Sequence, residues 1–289
     1  MRGFAYHAPG SLAEAVALLA QQGEGGKILA GGTDLLVQIK ERGLVPRYVV
    51  SLRNVPELAT IAYDEQTGLR IGAAAKLSDV AAHPEVQERY PIVVQGASLV
   101  GSLQIQNLGT VAGNLCNAAP SADCAPPLIA CGASVRLVGP QGERTVPLEG
   151  FFTGPGRTVL QEGEILAEVL VPPPPARSGG NYERYTPRQE MDIAVVGVGS
   201  VVVLDQEGRC AEARICLGAV APTPVRAIEA EQLLAGQELS EALLERAGEA
   251  AAAVARPITD QRGSANYRTR LVQVLTKRTL LAAWHDARS

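Results

Sequence analysis

Residues 28–36 read Ile28-Leu29-Ala30-Gly31-Gly32-Thr33-Asp34-Leu35-Leu36, and residues 107–115 read Asn107-Leu108-Gly109-Thr110-Val111-Ala112-Gly113-Asn114-Leu115. Each run sets glycines, a threonine, and a carboxylate or an amide between apolar flanks. Because glycine has no Cβ, its backbone N–H group can come close to an anionic oxygen. Two such turns in one chain predict a ligand whose two phosphates are held from two sides, which indicates a dinucleotide.

The first glycine turn, residues 31–34, lies between a predicted strand and a predicted helix. Residues 27–30 form a short apolar run that is typical of a strand, and Leu35 and Ile39 share one face of the helix that follows. This order aims backbone N–H groups and the positive end of the helix at one point. The turn is therefore predicted to bind phosphate, although an ordinary tight turn explains it equally well when it is taken alone.

Composition and charge narrow the function classes. The chain has 289 residues, of which 46% are hydrophobic, so it is long enough for two domains with a sizeable core. A formal net charge of −4 argues against a nucleic-acid or anionic-membrane partner. The sequence contains neither an apolar run long enough to span a bilayer nor the apolar core of a signal peptide. We expect a soluble cytoplasmic protein.

The five cysteines predict reduced thiols. Their number is odd and no CxxC pair is present, which does not fit a disulfide framework. Cys116, Cys124 and Cys131 lie close together in sequence, so an iron–sulfur role has to be weighed, but their spacing favours small apolar fillers. The three histidines are scattered without metal-ligand spacing. No metal site is predicted in this chain.

Four consecutive prolines, residues 172–175, mark the clearest boundary and divide the chain into domains 1–175 and 176–289. In the first domain, strands are predicted at 27–30, 47–52, 69–73, 133–138 and 165–171, and helices at 11–19, from 34, at 92–99 and at 125–131, with Ser11 and Ser78 as N-caps. The second domain is predicted to hold long strands at 194–204 and 211–220, then helices at 225–234, 241–254 and 264–284. This is a small α+β unit.

Several segments together resemble one family. The runs 30–35 and 105–114, followed by Ser121-Ala122-Asp123, are similar to the FAD-binding medium subunit of molybdenum hydroxylases, the family of xanthine dehydrogenase and carbon monoxide dehydrogenase. Segments 182–188 and 192–194 and the pair Tyr267-Arg268 extend the resemblance to the whole chain. It implies an α+β fold: a PCMH-type FAD-binding domain of two α/β subdomains, then a small domain of a three-stranded antiparallel sheet and a helical bundle.

The resemblance also implies the cofactor, FAD, and the residues that bind it. Residues 27–34 would wrap the pyrophosphate, the second glycine turn (residues 109–114) would hold it from the other side, and Asp123 would bind a ribose or ribityl hydroxyl. Ile165 and Leu166 would form an apolar wall, and Arg184 would lie near the flavin ring or the phosphates. The full set is Lys27, Ile28, Leu29, Ala30, Gly31, Gly32, Thr33, Asp34, Leu35, Gly109, Thr110, Gly113, Asn114, Asp123, Ile165, Leu166 and Arg184.

Three residues depart from the family pattern. Ala112 replaces the first glycine of the usual Gly-Gly-Asn, which is tolerable only where φ is negative and the backbone has room. Gln106 stands where an arginine is common, which removes a charge. Arg184 stands where a lysine is common, which keeps the charge and changes its geometry. Of the three, Ala112 is the one expected to weaken flavin affinity.

The resemblance further implies partners. Such a subunit works beside a small subunit with two [2Fe–2S] clusters and a large subunit with the molybdenum cofactor, usually as a dimer of heterotrimers. Electrons pass from the clusters to FAD and on to an outside acceptor. No catalytic residue is expected on this chain, and Glu162 and Glu164 are interpreted as solvated loop charges.

Two alternatives stay open on the sequence alone. One is a self-contained FAD oxidoreductase, against which stands the lack of an obvious catalytic base or covalent flavin attachment site. The other is a flavin-free scaffold of the same fold, favoured only by Ala112 and Gln106. Flavin absorbance separates the scaffold from the other two hypotheses, and copurification with two partner chains separates the first from the second. The substrate and the electron acceptor are not encoded in these motifs.

Overall fold

A three-stranded parallel sheet begins the fold, which a computed structural model describes for residues 3–188 and 191–289. Its strands β1 (Ala5–His7), β2 (Gly26–Leu29) and β3 (Tyr48–Ser51) lie in the order β1-β3-β2, so β3 is central and fully buried. Helices α1 (Leu12–Gln22) and α2 (Leu35–Glu41) provide the connections that parallel strands require. The predicted strand–turn–helix around the first glycine turn is confirmed.

A second, five-stranded antiparallel sheet follows, in the order β4-β5-β10-β6-β7. β8 and β9 form a separate hairpin that precedes β10. Between β5 and β6 the chain forms six short helices. The bounds are β4 (Ile61–Asp64), β5 (Gly68–Gly72), β6 (Ser134–Gly139), β7 (Gly142–Pro147), β8 (Phe152–Gly154), β9 (Arg157–Thr158) and β10 (Ile165–Val171), with α3 (Leu77–Ala82), α4 (Pro84–Arg89), α5 (Pro91–Ser98), α6 (Leu103–Gln106), α7 (Val111–Asn117) and α8 (Ala125–Ala130).

One apolar core joins these two sheets and their helices. Leu115 of α7, Leu128 of α8 and Ile165 of β10 are almost completely buried in it, beside Phe151. Two sheets with their helices give this part of the chain the mixed α and β architecture that was expected of it. The cost of exposing any of these side chains is roughly 2 kcal/mol or more, which fixes α7 against the second sheet.

The C-terminal part is a sheet covered by helices. Antiparallel strands β11 (Ser178–Tyr185), β12 (Val196–Leu204), β13 (Cys210–Gly218) and β14 (Val225–Arg226) pack against α9 (Ile228–Leu234), α10 (Glu241–Val254) and α11 (Ala265–Arg288). The sheet has four strands where three were expected. Residues 225–226, predicted as the start of a helix, are extended because they pair with Leu217 and Cys216 of β13.

The N-terminal and C-terminal parts pack closely together. The tetraproline run connects β10 to β11, and the Tyr90 hydroxyl donates to the carbonyl of Pro172. A Cβ on Gly199 of β12 would lie 3.0 Å from the backbone of Pro126, so β12 and α8 are in backbone contact. The division at residues 175 and 176 stays a prediction. In residues 3–188 and 191–289, no helix has the length and apolar character needed to cross a bilayer.

Candidate functional site

A cleft of about 480 Å³ lies between the two glycine turns. Most of the predicted cofactor residues line it: Lys27, Ile28, Ala30, Gly31, Gly32, Thr33, Asp34, Leu35, Gly109, Thr110, Gly113, Asn114, Ile165 and Leu166. The fold thus brings together residues that are more than a hundred positions apart in the sequence. Residues that sequence reasoning did not place in the site complete the lining: Gln38, Leu52, Ala73, Leu77, Val100, Ile105, Ala112, Cys116, Asn117, Gly156 and Leu160.

The two glycine turns touch each other through their backbones. A Cβ placed on Gly31 would lie 2.6 Å from the Cα of Gly109 and would overlap the carbonyl oxygen of Leu108. Backbone atoms cannot rotate away as a flexible side chain can, so only glycine fits at position 31. Gly32 has φ +79°, a conformation that side-chain-bearing residues rarely adopt. The two adjacent glycines are therefore both required, for different reasons.

The first glycine turn presents unpaired donors. Within the described part of the protein, the backbone N–H groups of Gly32, Thr33 and Asp34 donate to no acceptor. Asp34 makes no side-chain cap to the helix that follows. Since an unpaired N–H group prefers an acceptor, and these residues line the cleft, an anionic group in the cleft would satisfy them.

The second glycine turn is held by its own hydrogen bonds. Thr110 caps α7, its hydroxyl oxygen accepting from the N–H of Gly113 at 2.9 Å. The carbonyl of Gly109 accepts from the N–H of Leu77 at 2.9 Å, which ties the turn to the start of α3. These two bonds hold the turn to α7 and to the start of α3.

Ala112, the first departure from the family pattern, has the negative φ that an alanine requires at this position. It lies inside helix α7, where φ is negative, and only 3% of its surface is exposed. The extra methyl group is therefore accommodated by the helix. Gln106, the second departure, donates its amide to the carbonyls of Ser98 and Val100 at 2.7 and 3.1 Å. These two hydrogen bonds join the end of α6 to the end of α5 and to Val100, so the neutral side chain of Gln106 has a structural role.

Arg53 is a residue that the sequence analysis missed. Its guanidinium group donates to the carbonyl oxygens of Ala30 at 3.1 Å and of Gly31 at 2.6 Å. It follows β3, which is the parallel neighbour of β2, so the register brings it beside the turn. Arg53 itself is not among the residues that line the cleft. No sequence motif marks it, because the contact depends on strand pairing.

Leu29, Asp123 and Arg184 do not line the cleft, although all three were predicted there. Leu29 is buried beneath the turn, where its side chain would meet a Cβ on Gly32 at 3.4 Å. Asp123 is instead paired with Arg184, whose guanidinium nitrogen lies 2.5 Å from its carboxylate, and it accepts from the Tyr182 hydroxyl at 2.8 Å. In this arrangement both of its oxygens are occupied by protein donors.

Burial dominates the electrostatics of this cluster. The side chains of Asp123 and Arg184 are only 8% and 5% exposed. Burial raises the pKa of Asp123 to about 6, while the charge of Arg184 and the hydrogen bond from Tyr182 act in the opposite direction. Burial next to this carboxylate also raises the pKa of Tyr182 well above its ordinary value, so the phenol stays protonated as a donor.

Cys116 and Glu164, which lie at or next to the cleft, are held in protein surroundings that assign them no chemical role. Burial raises the pKa of the Cys116 thiol to about 12, so it is uncharged at neutral pH. Glu164 is bound by Arg144 at 2.7 Å with only 11% of its side chain exposed, so its interpretation as a solvated loop charge was wrong. Within residues 3–188 and 191–289, no group of three or more His, Cys, Asp or Glu residues could hold a metal ion.

Comparison with known proteins identifies the domain that carries the cleft. Residues 2–174 match the family described as the FAD binding domain in molybdopterin dehydrogenase, and residues 182–283 match the CO dehydrogenase flavoprotein C-terminal domain. The chain belongs to the family of FAD-binding subunits of molybdenum hydroxylases. Its resemblance to that family, read from the glycine turns, is confirmed.

Relatives match over nearly their full length. The chain is 37% identical to the carbon monoxide dehydrogenase medium chain of Hydrogenophaga pseudoflava, over 97% of each chain. It is 36% identical to a xanthine dehydrogenase FAD-binding subunit of Escherichia coli, over 96% of this chain and 95% of the relative. A carbon monoxide dehydrogenase structure from Hydrogenophaga pseudoflava superposes with a TM-score of 0.94 at 38% identity, covering 99% of this chain and 98% of the other.

A quinoline 2-oxidoreductase from Pseudomonas putida 86 has nearly the same fold. It superposes with a TM-score of 0.92 at 31% identity and covers all of this chain and 99% of its own. Enzymes with different names in this family thus share one FAD-subunit fold. The substrate named for any of them is consequently no guide to the substrate of this subunit's own complex.

The residues present in the cleft fit the FAD of this family. Unpaired N–H groups at Gly32, Thr33 and Asp34 suit a pyrophosphate, and the contact at Gly31 leaves no room for a side chain. Leu166 and Ile165 belong to the apolar core and line the cleft where the core meets it, so this side of the cleft is apolar. The cleft volume lies within the range of small-molecule sites.

Proposed function

We propose that this chain is the electron-transfer subunit of a molybdenum hydroxylase, taking electrons from [2Fe–2S] clusters of a partner subunit and passing them through FAD to an external acceptor. The observation that carries the proposal is the cleft between two touching glycine turns, with unpaired N–H groups, inside an FAD-binding domain. When bound, FAD supplies a group that accepts electrons singly and releases them in pairs.

The glycine turns are proposed to bind the FAD pyrophosphate from two sides. Residues 31–34 donate backbone N–H groups, and residues 109–114 close the opposite side. Backbone donors suit this role because they are fixed by the fold and carry no charge that would have to be desolvated. The apolar predicted residues that line the cleft, Ile28, Ala30, Leu35, Ile165 and Leu166, are proposed to exclude water from the cofactor. Lys27, which is exposed, is proposed to wrap the pyrophosphate with the first glycine turn.

Asp123 and Arg184 are proposed to support the site from behind. The N–H of Cys124, next to Asp123 in sequence, donates to the Asn114 side-chain oxygen at 3.4 Å. Asn114 lines the cleft, so the buried ion pair is joined through this bond to the second glycine turn. A direct contact of Asp123 with a ribose or ribityl hydroxyl, and of Arg184 with the flavin, stays a prediction.

The partners are proposed by kinship. Relatives are named medium chains or FAD subunits, so this chain is proposed to assemble with a small iron–sulfur subunit and a large molybdenum subunit, as a dimer of heterotrimers. A cytoplasmic location is proposed because the five cysteines are all free in the structure. The electron acceptor and the oxidised substrate are properties of the assembled complex.

The test is the visible spectrum of the chain purified alone and again with the products of its neighbouring genes. Bound FAD in the isolated chain, with cluster absorbance and reduction of the flavin by the complex, supports the proposal. Colourless protein in both preparations would favour the flavin-free scaffold. A flavoprotein that purifies without partners and turns over a substrate unaided would favour the self-contained oxidoreductase.

A further inference from the structure

Arg53 makes a two-point contact with the first glycine turn from outside the cleft. Its Nε donates to the carbonyl of Ala30 at 3.1 Å and one terminal nitrogen donates to the carbonyl of Gly31 at 2.6 Å. The parallel register that pairs Leu29 with Ser51 continues past the strand ends, because the N–H of Leu52 donates to the carbonyl of Leu29 at 2.8 Å. Arg53, the residue after Leu52, therefore reaches the next two carbonyls, those of Ala30 and Gly31.

Because the peptide bond is planar, the contact of Arg53 with the Gly31 carbonyl also sets the direction of the Gly32 N–H group. In a trans peptide the C=O and the following N–H point in opposite directions. A carbonyl of Gly31 held toward Arg53 therefore directs the N–H of Gly32 to the other side, and Gly32 lines the cleft. Since Gly31 and Gly32 lack the Cβ that restricts other residues, the turn without this contact could adopt several conformations.

We propose that Arg53 is a positioning residue for the pyrophosphate of FAD, acting by fixing the peptide planes of the first glycine turn. This proposal rests on the proposed FAD site, so its test must distinguish failure of the Arg53 role from failure of the FAD site itself. A guanidinium group is suited to this task, since its planar fork can span two carbonyls, whereas the single ammonium of lysine cannot match both in the same geometry. Arg53 touches no cofactor in this role and is not a catalytic residue.

The experiment measures FAD and ADP affinity of the full-length apoprotein for wild type, Arg53→Ala and Arg53→Lys. FAD is followed by flavin fluorescence, and ADP, which carries the pyrophosphate without the flavin, is used as a competitor. We expect Arg53→Ala to weaken both ligands by the same factor, about tenfold, the usual scale for losing a hydrogen bond to a charged group. The affinity of Arg53→Lys for both ligands should lie between those of wild type and Arg53→Ala.

Three further measurements exclude a general structural effect. Arg47→Ala is the matched control, because Arg47 also donates to a backbone carbonyl, that of Glu24, at the opposite end of β3. It should leave FAD affinity unchanged. Millimolar guanidinium should restore FAD affinity in Arg53→Ala, and the apoprotein of that variant should unfold at the wild-type temperature.

Each other outcome overturns a defined statement. If wild type binds FAD and Arg53→Ala binds it equally well, the positioning role is wrong and the FAD site stands. If Arg53→Ala loses FAD together with apoprotein stability, and guanidinium restores neither, Arg53 is merely structural. If wild type binds neither FAD nor ADP, the proposed function and the role of Arg53 both fall.

Discussion

At the scale of single residues, Gly31 has the strictest requirement in the cleft. It lies where the two glycine turns meet, and a Cβ there would overlap the carbonyl oxygen of Leu108 and come within 2.6 Å of the Cα of Gly109. Neither neighbour is a flexible side chain. A substitution must therefore move one turn away from the other, which changes the width of the cleft between them.

Gly31→Ala should consequently lose FAD and stability together. The separation of two backbones is an overpacking change, which typically costs about 1–3 kcal/mol. FAD content per chain, from absorbance, and the free energy of unfolding, from denaturant titration, measure the two effects. Gly150→Ala is the matched control, because Gly150 has open space around its Cβ position and no positive φ. A Gly31→Ala variant that kept full FAD would contradict the contact.

The residues of the two glycine turns could be predicted from the sequence, but the residues that hold these turns in place from outside the cleft could not. Gly31 and Gly109 stand in local patterns whose chemistry is legible within ten residues. Arg53 and the Asp123–Arg184 pair are contacts between positions 22 and 61 residues apart. Such pairs carry no periodic or motif signal, since they depend on strand register and on how the two parts pack. For the same reason the contacts of Asp123 with Arg184 and Tyr182 were not predicted.

At the scale of elements, the two N-caps predicted from the sequence in the first domain had different outcomes. Ser11 caps α1 by accepting from the N–H of Glu14, as predicted from its capping box. Ser78, predicted as a cap, lies inside α3, which begins one residue earlier and whose cap position is Lys76. Leu77 donates its N–H to Gly109, so a tertiary contact fixes the start of α3 in place of a side-chain cap.

Several edge strands, including the eight-residue β11, were among the elements that the sequence did not reveal. β9 and β14 have two residues each, which is too short for an alternating apolar pattern. β7 has no fully buried residue, so its sequence carries no apolar signal. These strands exist because a neighbouring strand offers unpaired backbone groups. The long strands β10, β12 and β13 were predictable, because their apolar residues are buried.

Thr110 both caps helix α7 and lines the cleft, so its substitution should affect stability and FAD binding. Its hydroxyl oxygen caps α7 and accepts from the N–H of Gly113, so Thr110→Ala should cost about 1 kcal/mol. Ser240→Ala removes the same kind of cap from α10, far from the cleft, and should cost a similar amount. We expect FAD content to fall only for Thr110→Ala. Equal FAD content in the two variants would show that the cap does not shape the second glycine turn.

At the scale of the whole molecule, a buried ion pair joins the two parts of the chain. Asp123 follows the second glycine turn and Arg184 lies on β11, and their side chains are 8% and 5% exposed. Tyr182, on the same strand, donates to the same carboxylate. Breaking such a pair leaves one charge buried without a partner, which is more costly than the loss of an exposed pair.

Arg184→Met should therefore lower the free energy of unfolding by about 3–5 kcal/mol at neutral pH. Lys277→Met, which removes partly exposed ion pairs with Glu245 and Glu241, should change the free energy of unfolding by less than about 1 kcal/mol. Calorimetry of both variants measures the difference and shows whether the two parts still unfold in one transition. Asp123→Asn combined with Arg184→Met should recover part of the loss, because no charge then stays buried alone.

The titration of Asp123 gives this junction a pH dependence of defined sign. Burial raises its folded-state pKa to about 6 from an ordinary value of 3.8, so between these values the folded protein binds the proton more tightly than the unfolded chain. The contribution of this group to stability is then largest below about pH 4, falls as pH rises to about 6, and is constant above. A shift of this size corresponds to about 3 kcal/mol.

Unfolding free energies of wild type and Asp123→Asn between pH 4 and 8 isolate this contribution, since the variant lacks the titrating group. The wild-type value minus the variant value should fall by up to about 3 kcal/mol between pH 4 and 6 and stay level from pH 6.5 to 8. A difference that rises with pH would mean that Arg184 and Tyr182 outweigh burial and hold the pKa below its ordinary value. The sign of one slope thus decides whether the junction is a tolerated buried charge or a stabilising ion pair.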